Sequence, residues 1–102
     1  MRVIFFNSQL KEFIQKLPKH SSSKAGRLID LLEVFGNKLN MPYSKQLGDN
    51  LHELRARGQQ EIRILYCFKN SNAVIVHIFI KKTQKTPRRE IKIALNRISL
   101  LQ

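Results

Sequence analysis

The sequence predicts an α+β protein, a small and mostly antiparallel sheet in the order β-α-α-β-β-β-α with an N-terminal helical hairpin and a C-terminal helix. Apolar residues recur at helical spacing before Asn40, alternate with polar ones from Leu51 to Lys82, and return to helical spacing after Pro87. Strands gathered in one run, instead of alternating with helices, favour a sheet with helices packed on it over a wound α/β fold.

Each element has a local reason. Arg2 to Phe6 read as a short strand closed by the turn signal Asn7-Ser8, and Leu10, Phe13, Ile14 and Leu17 then share a helical face until Pro18 stops the helix. Ser21-Ser22-Ser23 offer N-caps to a second helix with the stripe Leu28, Leu31, Leu32, Phe35 and Leu39, and Gly36 breaks the pattern near its end. Asn40 to Tyr43 and Gly48 to Asn50 read as a connecting loop. Strands are expected at Leu51–Arg57, Glu61–Lys69 and Ala73–Lys82, the last two joined by a tight turn at Asn70-Ser71-Asn72, residues that tolerate positive φ. Thr86-Pro87 opens the last helix with proline at its first position, and Ile91, Ala94, Leu95, Ile98 and Leu101 form its apolar stripe.

Composition narrows the function. A chain of 102 residues makes one domain, here 1–102, and an apolar content of 42% suits a packed core. Nineteen Lys and Arg against seven Asp and Glu leave a net charge of +12, which calls for a polyanionic partner. Membrane binders of this charge use a long basic amphipathic helix or a lipidation signal, and neither is evident, so nucleic acid is the expected partner and no membrane is. The run Val3 to Phe6 is too short for a signal peptide or a spanning helix, which predicts a cytoplasmic protein. Cys67 is the only cysteine, which rules out an intrachain disulfide and a cysteine zinc cluster; inside the apolar run Ile62 to Phe68 it reads as a packed thiol.

Strand residues alternate sides, so parity sorts the charges. Ile62, Ile64, Tyr66 and Phe68 share one face, with Glu61, Arg63, Leu65 and Cys67 opposite; Glu53, Arg55 and Arg57 fall together; Val74, Val76, Ile78 and Ile80 make an aliphatic face, with Ile75, His77, Phe79 and Lys81 opposite. If the polar sides coincide, Arg55, Arg57, Arg63, His77 and Lys81 gather on one surface bordered by Lys82 to Thr86, a phosphate-binding cleft. A cation on a strand is usually a solvated surface charge, but Arg63 sits alone in an apolar run and needs a partner, Glu53 or Glu61, or a function.

With seven dispersed carboxylates, no His-x-x-x-His pair and no cysteine set, neither a metal nor any other cofactor is expected. RNA brings its own nucleophile, the 2′-hydroxyl, and needs in-line geometry, a proton acceptor and positive charge on the pentavalent transition state. A bidentate arginine supplies that charge. His77 is a candidate acid or base, equally well read as filling space between Ile75 and Phe79. A lysine crowded by cations also gives up its proton more readily, and Lys81, Lys82 and Lys85 are the local candidates.

Leu51-His52-Glu53-Leu54-Arg55, Ile62-Arg63-Ile64-Leu65-Tyr66, and Phe79-Ile80-Lys81-Lys82-Thr83-Gln84-Lys85-Thr86-Pro87 before a helix resemble the HigB-like, phage-derived toxins of the RelE/ParE superfamily. Val3-Ile4-Phe5-Phe6 and Met41-Pro42-Tyr43-Ser44-Lys45-Gln46-Leu47 look like that family too. The resemblance implies a RelE-like fold, an endoribonuclease that cuts messenger RNA on the ribosome, and a cognate antitoxin, often a helix-turn-helix protein. Carried over residue by residue, Arg63 matches the strand arginine on the scissile phosphate and Arg55 a basic residue of the preceding strand. Lys82 and Lys85 fall where such toxins place a further cation; with His77 these make the expected catalytic set, and Arg57, Lys45, Lys81 and Arg88 the expected RNA-binding set. A tyrosine or histidine near the C-terminus, found in some members, has no counterpart after Tyr66 and His77. The alternatives are a ParE-like inhibitor of DNA gyrase that cleaves nothing, and a non-catalytic RNA-binding module, for which Phe79 is the one candidate stacking aromatic.

Overall fold

The computed structural model describes residues 1–101. The chain runs β1 (Arg2–Phe5), α1 (Ser8–Gln15), α2 (Lys19–Phe35), a short 3-10 turn (Gly36–Lys38), β2 (Ser44–Gly48), β3 (Leu51–Ala56), β4 (Ile62–Lys69), β5 (Asn72–Ile80) and α3 (Arg88–Leu100). The strands form one five-stranded mixed sheet in the order β1-β5-β4-β3-β2; β1 runs parallel to β5 and the other neighbours are antiparallel. The α+β class holds, but the order is β-α-α-β-β-β-β-α.

The added strand is β2, in the segment expected to be a loop. Its backbone pairs with β3, Lys45 opposite Glu53 and Gln46 opposite His52. Its buried residue is Ser44, whose hydroxyl meets the Tyr66 hydroxyl at 2.6 Å. A strand whose buried position is a serine shows no apolar alternation. Asn50 closes the β2–β3 hairpin and imitates a strand residue toward β4, donating to the Phe68 carbonyl at 2.8 Å and accepting from its N–H at 2.9 Å.

Three helix boundaries also differ from expectation. The α2 helix starts at Lys19, directly after Pro18, whose fixed φ suits a helix entry and whose carbonyl accepts the Ser22 N–H at 2.9 Å. The three serines lie inside the first turns instead of capping them, and buried Ser21 donates to Gln60 across to the β3–β4 connection. Gly36 ends the helix at φ +55, so Leu39 falls beyond it and Phe35 stays 51% exposed, outside the core stripe. At the far end Pro87 is the residue before α3, and the helix begins at Arg88.

The α1 and α2 helices cover one face of the sheet, where Leu10, Ala25, Leu28 and Leu32 pack on Leu54, Ile62, Ile64, Tyr66, Ile75 and Ile78. The α3 helix covers part of the other, where Ala94, Ile91 and Ile98 meet Leu65, Cys67, Val74, Val76 and Phe79. Burial of such side chains, at roughly 1.5–3 kcal/mol each, is the main driving force holding the layers together. The expected aliphatic face of β5 is split between these two cores. Leu65 pairs with His77 but Tyr66 with Ile75, so Val76 is an extra, bulged residue and parity reverses there. Val74 and Val76 therefore face α3, while Ile75, Ile78 and Ile80 face α1 and α2. The Val76 carbonyl freed by the bulge accepts from Arg97 of α3 at 2.7 Å, and the same guanidinium lies 5.4 Å from the Phe6 ring centroid.

Candidate nucleic-acid interface

The β4–β5 hairpin fixes the site. Asn70 and Ser71 both take positive φ in a two-residue turn, and this turn together with the one-residue bulge at Val76 sets Arg63 opposite Phe79 and Leu65 opposite His77. Across the other edge of β4, Arg63 is the register partner of Arg55 and Leu65 of Glu53. Two arginines directly opposite each other repel unless compensated. Here two carboxylates compensate them.

Glu53 is 1% exposed, takes the Arg55 Nε at 3.1 Å on one oxygen and the Thr86 hydroxyl at 3.0 Å on the other, and has the Arg63 Nε at 3.8 Å. Arg63 is 2% exposed; one terminal nitrogen donates to Glu61 at 3.1 Å and the other to the Ile62 carbonyl at 3.3 Å. Its Nε has no hydrogen-bond acceptor and is held toward Glu53 by charge alone. Burial by itself raises the Glu61 carboxyl; the hydrogen bond and charge of Arg63, the Gly58 N–H and the Arg57 charge together outweigh it and hold the group below its usual range.

Above this layer the sheet face is not covered by α3, and a cleft of about 640 Å³ opens between the end of β3, the start of β4 and the β5–α3 loop. Arg55, Arg57, Arg63, Lys81 and Lys82 line it, together with Glu61, Thr83 and Gln84. Lys81 donates to the Gln84 carbonyl at 2.7 Å, which folds the loop over the cleft, and Arg57 is within 3.9 Å of Glu61. Lys82 is exposed and makes no hydrogen bond or ion pair among the described residues. Counting Glu53 below the floor, five cations stand against two carboxylates, a surplus of three positive charges.

The remaining expected site residues lie elsewhere. His77 is on the same face but under the first turn of α3, where its Nε2 is 2.9 Å from Glu90 Oε1 and its Nδ1 is buried without a partner; it does not line the cleft. Lys45 is exposed on β2 beside Glu53, Lys85 is exposed in the loop, and Arg88 is the first residue of α3; none lines the cleft. Phe79 is buried between the sheet and α3, which leaves it no face to stack on a base. The sequence offers Glu53 or Glu61 as the partner of Arg63, whereas both serve. The signal was the repeated Glu-x-Arg, at 53 and 55 and at 61 and 63, which places each pair on one side of its strand. Thr86, read as a helix-start residue, instead gives its hydroxyl to Glu53.

The profile of the family described as Phage derived protein Gp49-like (DUF891) matches residues 12–99. The chain belongs to the Gp49-like family. That family is toxin-like and related to the RelE/ParE-type toxins, which points to an antitoxin partner for its members. No curated protein matches the chain. Among the described residues of this Gp49-like protein, no three or more His, Cys, Asp and Glu side chains are grouped so as to hold a metal ion, and no helix is long and apolar enough to cross a membrane.

Proposed function

We propose that this Gp49-like chain is the toxin of a type II toxin–antitoxin pair, close to the HigB-like branch, and that it cleaves messenger RNA on the ribosome without a metal. The observation that carries the reading is the cleft with three surplus positive charges on a sheet face whose arginines are fixed by carboxylates. In the proposed reaction the substrate 2′-oxygen bonds to the phosphorus as its proton leaves, the bond to the 5′-oxygen breaks, and that oxygen takes up a proton. The products are a 2′,3′-cyclic phosphate and a 5′-hydroxyl. Arg55 and Arg63 supply a preorganised positive field for the phosphorane. Arg57 and Lys81 hold flanking phosphates, with Lys45, Lys85 and Arg88 further out along the strand. Lys82, exposed over the cleft and free of other bonds among the described residues, is our candidate for the proton transfer. The antitoxin, a helix-turn-helix protein in this reading, blocks the same surface or its approach to the ribosome.

The test is expression of wild type and Lys82→Ala without antitoxin, followed by mapping of messenger 5′ ends in translating extracts. Lys82 is better suited to this than Arg63, because removing a buried, ion-paired arginine disturbs the fold as well as the chemistry. New 5′-hydroxyl ends with wild type, reduced about 10²-fold or more by Lys82→Ala, support the proposal. One observation favours a non-nucleolytic, ParE-like role against gyrase: Arg55 and Arg63 are each already engaged by a carboxylate. Full toxicity without new ends would overturn the nucleolytic reading and leave a non-nucleolytic role.

A further inference from the structure

A second hollow, on the α2 side of the sheet, shares Arg55 and Arg57 with the cleft. It holds about 320 Å³; Leu28, Leu31, Pro42 and Tyr43 make its apolar part, and Lys24, Arg27, Arg55 and Arg57 its cationic part, with no acidic residue. Arg55 and Arg57 line both spaces, so the cleft on the α3 side of the sheet and the hollow on its α2 side meet at these two residues, at the end of β3. The Tyr43 carbonyl accepts the Arg55 N–H at 2.9 Å, which ties the aromatic residue to the arginine between the two spaces. Tyr43 is 46% exposed, so one part of it remains free for a ligand.

We propose that this hollow is a nucleobase subsite, which takes the base of the nucleotide whose phosphate is bound by Arg55 and Arg57. The inference rests on the reading of the cleft as an RNA phosphate site. The chemistry fits a base in three respects. A base is flat and apolar on its faces and stacks on a tyrosine ring; its edge oxygens and nitrogens accept from lysine and arginine; and its attached phosphate is drawn to a rim with no carboxylate.

The experiment compares two uncleavable probes by calorimetry on the full chain, adenosine 3′,5′-bisphosphate and the same sugar bisphosphate without a base. The adenosine probe is expected to bind at least about 5-fold more tightly, the low end for stacking one base on an aromatic ring. Tyr43→Ala, which keeps the backbone bond to Arg55, should erase that advantage and leave the baseless probe unchanged; Leu31→Gln should reduce it. Equal affinities for the two probes, or an advantage untouched by both variants, overturns the subsite while the cleft stands; an apolar side chain of a protein partner as the occupant would give the first of these results. Failure of both probes to bind overturns the phosphate site and the subsite together.

Discussion

Glu53→Gln isolates the charge that organises the cleft. The substitution keeps the shape of the side chain and removes a carboxylate that is 1% exposed, accepts from Arg55 and Thr86, and lies 3.8 Å from the Arg63 Nε. Breaking a buried ion pair from one side costs about 3–5 kcal/mol. The lower end applies, since Arg63 retains Glu61 at 3.1 Å and Arg55 still reaches water, so a loss of about 3 kcal/mol is expected. In a domain of this size that lowers Tm by roughly 12–24 °C. Urea titration and thermal melting by circular dichroism at pH 7 measure it, and because the pairs are largely buried the difference should persist in high salt. The same substitution adds one net positive charge under the cleft, so a folded variant should bind RNA more tightly while cleaving it less. A melt within about 0.5 kcal/mol of wild type, the range of an ordinary surface change, would refute the reasoning.

Further expectations follow from single contacts. If the three surplus charges of the cleft each release a counterion, the logarithm of affinity for single-stranded RNA should fall against the logarithm of salt with a slope of roughly −2; a flat dependence would remove phosphate contact as the source of binding. Tyr66→Phe leaves the Ser44 hydroxyl buried without its partner and should cost about 1–3 kcal/mol in a urea titration. Burial pushes the Tyr66 phenol above 10.0, so its contribution to stability is present below that value and lost as pH rises through the raised one; the phenylalanine variant should lack this alkaline loss. Burial also holds His52, stacked on Tyr66 at 5.2 Å, below the ordinary imidazole value of 6.5. Its contribution is present above 6.5 and lost as pH falls through the depressed value, so His52→Phe should flatten the stability profile on the acid side of neutrality. Cys67 is buried with its thiol pushed up by burial, and should resist a thiol reagent until the protein unfolds.

How much of this could be read in the sequence varies with the kind of force at each position. Parity puts Arg55 with Arg57 and Arg63 with Glu61, and the β3–β4 register, with Arg55 opposite Arg63 and no shift, brings the two strands' arginines onto one face. Parity failed at Val76, where an inserted bulge residue has the same aliphatic chemistry as its neighbours and so leaves no mark in composition. It failed at β2 because the pairing there is backbone to backbone and the buried side chain is a serine. His77 shares a face with the cleft residues, yet only the packing of α3 decides that Glu90 captures it. The hollow beside the cleft was invisible for a related reason. Leu28 and Leu31 read as core stripe, and nothing local says that Tyr43 and Arg55 come to stand beside them.

The arginines and the lysines of the cleft do different work. A guanidinium on a strand, 2% exposed and bonded to a carboxylate, keeps its position, but much of its field is already answered. An exposed lysine keeps its whole charge, but its four-carbon stem must be ordered when a phosphate arrives, at a cost of up to about 2 kcal/mol in side-chain entropy. A site built of either kind alone is poor: fixed pairs bind weakly, and free lysines do not define a reacting geometry. Placing Lys81 and Lys82 on a loop tied down through Gln84 and Thr86, directly beyond Arg55 and Arg63, combines surplus charge with a rigid floor. It follows that Thr86→Val, which cuts the loop's bond to Glu53 without altering any charge, should weaken cleavage more than it weakens RNA binding. The reverse ranking would mean that the loop serves affinity and not geometry.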